Sequence, residues 1–255
     1  FLKAGNDRLA QRVWSALVCA AIALPVAVWT GPLPMHFWPL MAGFAVLSFV
    51  NQLTLIKSYA LSDFSHAYPV ARGIAPLAMA VLGVIWLGDQ LSAFGITGIV
   101  LITGGILALA MGRGMSRHGW GAAIFTGLTT VGYNILAANG MREAADPSNF
   151  IAWLFVTDGV LLPTWMAMQF RAEYRARLRS GFTIGWQAGL LTLLSYTALA
   201  FAMRFAPVGI VSAIRETSVL IALVLAAMML NEAMDRWRIL AGLLIVIGAV
   251  AIILE

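Results

Sequence analysis

The chain has 255 residues, of which 61% are hydrophobic and 11% charged, and its mean hydropathy is +0.89. Soluble domains carry roughly 25% charged residues, so a soluble globular domain is excluded. A formal net charge of +5 is no nucleic-acid signal here, because the basic residues sit in short stretches between apolar runs; the single cysteine, Cys19, excludes a disulfide framework and any multi-cysteine metal site.

Apolar runs of about 20 residues can cross a bilayer as helices. Nine are found, at 13–29, 38–56, 67–87, 93–111, 119–141, 150–170, 182–203, 208–230 and 236–254. They predict an all-α polytopic membrane protein embedded in the lipid bilayer. The first run ends at the turn Thr30-Gly31-Pro32-Leu33-Pro34. The links are short, so sequential helices are expected to be antiparallel neighbours, and no soluble domain fits between them. The longest polar stretch, residues 171–180 (RAEYRARLRS), reads as a solvated basic loop at the membrane face, with lipid headgroup binding as the alternative.

Basic residues in alternate loops set orientation. Lys3, Arg8, Arg12, Lys57, Arg113, Arg117, Arg171, Arg175, Arg177, Arg179, Arg236 and Arg238 fall on one side, Arg142 and Arg204 on the other. The first side is predicted to be cytoplasmic. Arg72 and Arg215 lie inside apolar runs.

The sequence also repeats itself. At the constant offset that carries Asp89 onto Glu232, Arg72 meets Arg215, Leu77 meets Leu220, Leu101-Ile102 meets Leu244-Ile245, and Gly105 meets Gly248. A matched in-membrane arginine, a matched loop acid and a matched packing glycine are not expected from lipid-facing composition alone. The repeat divides the chain into 1–114 and 115–255. The second part holds five runs and the first holds four, so a further helix is expected upstream of Phe1, giving ten in the natural protein. Five is odd, so the two units are expected to be inverted in the membrane. Inverted repeats are a transporter device, with substrate held near the midplane.

The loop Leu87-Gly88-Asp89-Gln90-Leu91-Ser92 and its counterpart Leu230-Asn231-Glu232-Ala233-Met234 carry a resemblance, together with Tyr68-Pro69-Val70-Ala71-Arg72-Gly73 and Ile214-Arg215-Glu216-Thr217-Ser218. They resemble the paired repeats of the drug/metabolite transporter superfamily, EamA type. The resemblance implies ten helices in two inverted units, a bacterial inner membrane and movement of small metabolites. Asn231, where glycine is usual, and the absent first helix depart from that pattern.

Ionisable residues inside a transmembrane helix are costly and by default mark a pathway or site. Arg72 lies between Pro69 and Pro76, and Arg215 stands beside Glu216. Both arginines can line a cavity and offer donors to a carboxylate or phosphate; otherwise they form structural ion pairs or reach for the interface. Asp158 is the acid deepest in its run, either a proton-coupling group or a fixed partner for an arginine. Tyr133, Asn134 and Tyr196 add polar groups that either join helices or touch substrate. Tyr68, like Tyr59, Trp86 and Trp153, either stacks on an organic substrate or anchors a helix end. Gly181, Gly185 and Gly189 recur every four residues and predict a close-packed helix face.

The sequence has no His-Glu-x-x-His, no Gly-x-Ser-x-Gly and no P-loop, and His36, His66 and His118 lack metal-ligand spacing. Neither enzymatic activity nor a metal or other cofactor is expected. The reading is a secondary transporter of a small polar organic metabolite, anionic or zwitterionic, working by alternating access without a nucleic-acid partner. The competing reading is a non-transporting membrane subunit packed against another membrane protein or a second copy of itself.

Overall fold

The computed structural model describes the backbone of residues 7–61, 64–111, 117–221 and 236–254, and the side chains of 7–56, 72–108, 121–221 and 239–254. Among these residues all regular structure is helical. The elements are α1 (Arg8–Thr30), α2 (Trp38–Leu61) entered through a short 3₁₀ turn, α3 (Phe64–Leu87), α4 (Ala93–Met111), α5 (Arg117–Glu143), α6 (Pro147–Gln169), α7 (Tyr174–Phe205), α8 (Val208–Glu216) and α9 (Arg236–Ile253). Each predicted run therefore corresponds to a described helix. Residues 222–230 of the eighth run, and the Asn231-Glu232 loop, lie outside the described residues. Five described segments are long and apolar enough to cross a membrane: Arg8–Thr30, Met35–Ile56, Gly121–Glu143, Pro147–Gln169 and Tyr174–Phe205. The chain is a multi-pass membrane protein.

Two expectations about polar segments need correction. Residues 174–180 are no loop but the opening turns of α7. Arginine, alanine and leucine are strong helix formers, so a helix continues where an apolar run stops. There Arg177 lies 3.9 Å over the Phe170 ring and pairs with Asp7 at 3.4 Å and Glu173 at 3.2 Å. Similarly α1 starts at Arg8, its first turn capped by the Asp7 carboxylate accepting from Ala10 N–H at 3.0 Å. Arg8 and Arg12 are thus helical residues and not loop markers. Arg142 and Arg204 tie the ends of α5 and α7 together reciprocally, Arg142 donating to the Met203 carbonyl and Arg204 to those of Met141 and Ala144.

The helices form two compact units, one of Phe1–Ile56 with Gly132–Phe205, the other of Lys57–Val131 with Ala206–Glu255. Each draws helices from both halves of the sequence. In the first, the predicted glycine face of α7 lies against α1. A Cβ on Gly181 would come within 2.6 Å of the Ala10 backbone, and one on Gly189 within 2.8 Å of Val18 Cβ. Small residues let the two backbones touch, as membrane helix packing favours. Trp14 Nε1 donates to the Leu178 carbonyl at 2.7 Å, and Cys19 Sγ to that of Gly189 at 3.3 Å. Gly159 of α6 meets α1 at Ala16 and Ala20.

In the second unit, α4 crosses α9 at positions that the repeat relates. A Cβ on Gly248 would lie 2.8 Å from the Gly98 carbonyl oxygen, and one on Gly105 2.8 Å from that of Ala241. The repeat carries Gly98 onto Ala241 and Gly105 onto Gly248, so either contact is the image of the other. Ile102 and Ile245, another related pair, are fully buried between them. Contacts that exchange in this way are the mark of a local two-fold axis. Residue numbers rise along α4 as they fall along α9, so the related helices are antiparallel, as inverted units require.

Candidate functional site

The predicted site residues fall into two groups, one in each unit. In the second unit, Gly88 adopts φ +71, a left-handed turn that ends α3 and brings Asp89 back beneath it. Asp89 N–H donates to the Gly83 carbonyl at 3.0 Å, while Asp89 Oδ2 accepts from Val208 N–H at 2.8 Å. The matched loop acid of the first repeat is therefore a helix cap: it satisfies a donor at the start of α8, behind Pro207, and favours the dipole there. Gly209 then lies directly on Ala80 of α3, where a Cβ would stand 2.6 Å from the Ala80 Cα.

Held in this way, α8 delivers Arg215 and Glu216 in its last turn. Arg72 of α3 donates to both carboxylate oxygens of Glu216, at 2.9 Å and 3.2 Å. Glu216 is 3% exposed at its side chain and Arg72 28%, so the pair is largely withdrawn from solvent. Arg215 also acts electrostatically on Glu216, less strongly than Arg72. Among the described residues, no hydrogen bond or ion pair engages Arg215. Immediately after Glu216 the helix tightens, with Thr217 N–H donating to the Ile214 carbonyl at 3.1 Å. Thr217 is the C-cap of α8, and 3₁₀-type bonds of this kind are frequent at helix ends. The side chain of Tyr68 lies outside the described residues.

In the first unit, Tyr196 of α7 donates its hydroxyl to Asn134 Oδ1 of α5 at 3.2 Å. Around them stand the rings of Phe44, Tyr133 and Phe155, with centroids 5.7 Å apart for Phe44–Tyr133 and 5.9 Å for Phe155–Tyr196. This is an aromatic core with one internal polar bond. One turn along α6 from Phe155 comes Asp158, half-buried, its carboxyl hydrogen-bonded by Ser48 of α2 and within electrostatic reach of Arg12 of α1. Gln52 donates to the Ser48 hydroxyl at 3.3 Å. Trp153, at the far end of α6, donates Nε1 to the Gly31 carbonyl at 3.0 Å and stacks edge-on with Trp38, so its ring is committed to packing.

Arg12, Ser48 and the capping role of Asp89 were not read from the sequence. Arg12 was hidden by being counted with a loop. Asp89 was visible as a matched acid, but its partner is a backbone donor 119 residues away. Among the described residues, no group of three or more His, Cys, Asp or Glu could hold a metal ion.

A family model described as the EamA-like transporter family matches this chain twice, over residues 6–111 and 119–254. No curated protein matches the chain. Among solved structures, one titled "Crystal structure of protein" aligns over 96% of this chain and 88% of its own, at 17% identity and a TM-score of 0.72. That likeness concerns the fold.

Proposed function

We propose, from the premise that this chain belongs to the EamA-like transporter family, that it is a secondary transporter moving a small organic anion or zwitterion across a bacterial inner membrane by alternating access. The supporting observation is the charge balance at the end of α8. Two guanidiniums share the neighbourhood of one carboxylate, and Arg72 occupies both oxygens of Glu216. Arg215 keeps its charge, because guanidinium does not deprotonate in proteins. A charge in an apolar helix with no hydrogen bond or ion pair among the described residues is costly, and an incoming carboxylate or phosphate supplies negative charge as paired, charge-assisted hydrogen bonds. On this reading Arg72 and Glu216 position the end of α8, and Arg215 meets the substrate. The sequence has no P-loop, so the transport work comes from a gradient.

Uptake into proteoliposomes, screened over carboxylate-bearing, phosphate-bearing and neutral metabolites, tests this reading. Arg215→Gln should weaken uptake of the anionic substrate by about 10- to 100-fold, the equivalent of roughly 1.5–3 kcal/mol for one charge-assisted contact, with thermal stability unchanged. Arg215→Lys should recover part of it, since lysine keeps the charge and loses the planar fork. Undiminished uptake by Arg215→Gln, or transport confined to neutral compounds, would overturn the assignment.

A further inference from the structure

We propose that the opening turns of α7 form a binding site for an anionic phospholipid, with Arg175 and Arg179 on its phosphate, Phe182 and Trp186 at the level of its glycerol, and its acyl chains against Leu190. The inference needs only that the chain lies in a bilayer, and it is independent of the Arg215 assignment.

The charges at this end of the first unit divide unequally. Residues 171–180 carry four arginines and one acid. Half-buried Arg177 takes that acid, Glu173, at 3.2 Å, together with Asp7 at 3.4 Å, and lies over the Phe170 ring. Arg171, Arg175 and Arg179 are exposed, and among the described residues no hydrogen bond or ion pair engages them. The other described acids of the unit are out of reach. Glu143 and Asp146 stand at the far end of α7, where Arg204 holds the Met141 and Ala144 carbonyls. Asp158 lies about three turns before the end of α6. Arg175 and Arg179 are four residues apart, a spacing at which like charges on a helix repel. A phosphate between them relieves that repulsion, and guanidinium forks bind phosphate through paired hydrogen bonds.

Below the arginines, one helix face continues in a definite order. Positions 175, 179, 182, 186 and 190 recur at the spacing of a single face. All five side chains are exposed, Phe182, Trp186 and Leu190 among them. They run from charge through aromatic to aliphatic. A phospholipid presents phosphate, glycerol and acyl chain in the same order, and aromatic side chains favour its interfacial level. From Arg179 to Leu190 the helix rises about 16 Å. That is close to half of the roughly 30 Å hydrocarbon core, so the face is as long as one leaflet is thick.

The face is also held in place. Trp14 of α1 meets Phe182 edge-on, with ring centroids 4.9 Å apart, and its Nε1 donates to the Leu178 carbonyl at 2.7 Å. Gly181, Gly185 and Gly189 seat the adjoining side of α7 on α1. The turn before α7 is closed by Glu173 N–H donating to the Phe170 carbonyl at 2.8 Å. The two arginines thus stand on a fixed helix instead of a loop, and charges already in position lose less freedom when a headgroup binds.

In neutral detergent, the purified chain is titrated with phosphatidylglycerol or with phosphatidylcholine of the same acyl chains, and bound lipid is counted by native mass spectrometry. Wild type should prefer the anionic lipid by about 10- to 100-fold, the worth of one charge-assisted contact. Arg175→Gln/Arg179→Gln should abolish the preference, and Arg175→Lys/Arg179→Lys should retain part of it. Arg236→Gln/Arg238→Gln removes the same charge elsewhere in the chain and should leave the preference intact. An equal loss in that control, or an undiminished preference in Arg175→Gln/Arg179→Gln, would overturn the site. So would displacement of the lipid by inorganic phosphate. A photoreactive phosphatidylglycerol with a diazirine in its acyl chain locates the site in wild type, without relying on any variant. Cross-links should concentrate in the tryptic peptide 180–204, which holds Phe182, Trp186 and Leu190; an even spread over the membrane-spanning peptides would end the proposal.

Discussion

The crossing of α1 with α6 and the crossing of α4 with α9 are two versions of one joint. Each brings two helices together through small residues, Ala16 on Gly159 in the first unit and Gly98 on Gly248 in the second. The chemistry around them differs. Residues 93–108 of α4 and 239–253 of α9 carry no charged side chain, and Ile102 and Ile245 fill the centre. The helices of the other crossing carry charged side chains, Arg8 and Arg12 in α1 and Asp158 in α6. In the second unit the buried acid, Glu216, stands away from the crossing and is bound to Arg72. The joint itself needs only close backbones, so charge at a joint signals a different task from charge in an ion pair. Substitutions at the two kinds of place should therefore behave oppositely.

The largest effect is expected from Arg72→Gln. It strands a carboxylate that is 3% exposed, and breaking one partner of a buried pair costs about 3–5 kcal/mol. Thermal denaturation in detergent should show a large loss, with part of it returned in Arg72→Gln/Glu216→Gln, which removes the stranded carboxylate while Arg215 keeps its charge. A stable Arg72→Gln protein would move this pair into the same class as Arg12 and Asp158 and erase the contrast between the units.

Next in size is Gly248→Ala. The added methyl meets the Gly98 carbonyl oxygen at 2.8 Å and the Ile102 backbone nitrogen at 3.0 Å, and backbone atoms cannot rotate aside. Overpacking of this kind costs about 1–3 kcal/mol. Gly104→Ala is the control, because nothing lies within 4 Å of its new Cβ; there the gain in helix propensity should leave stability unchanged or raised by up to about 1 kcal/mol. Equal behaviour of the two glycines would remove the close-packed crossing.

Much of this architecture is legible in the sequence, for identifiable reasons. Lipid imposes long apolar runs, so the helices are visible as runs. The repeat is visible because positions facing related environments keep related residues: Gly105 and Gly248, and Ile102 and Ile245, prove to touch across α4 and α9. The polar boundaries were not legible, since a charged turn such as residues 174–180 stays helical once it leaves the bilayer. Nor were the partners of charges. Arg72 and Glu216 are each conspicuous, but they are 144 residues apart, and only the packing of α3 on α8 brings them together. Asp158 is conspicuous as an acid inside an apolar run, but its neighbours are not; Arg12 was out of view because it stands before the apolar run to which it belongs.

The smallest effect is expected where the joint carries charge. Asp158→Ser leaves a small hydroxyl in place of the carboxyl on α6. The substitution removes the carboxylate and leaves Arg12, but Arg12 stands in the second turn of α1 and its stem is long enough to carry the guanidinium to the interface. The guanidinium is partly buried at Nε but can move outward, unlike the Glu216 carboxylate. The change in stability should therefore stay within about 1 kcal/mol, the worth of a typical net hydrogen bond. If Asp158→Ser instead denatured as readily as Arg72→Gln, the acid would be a structural partner of Arg12, and the two units would differ only in where each keeps its ion pair.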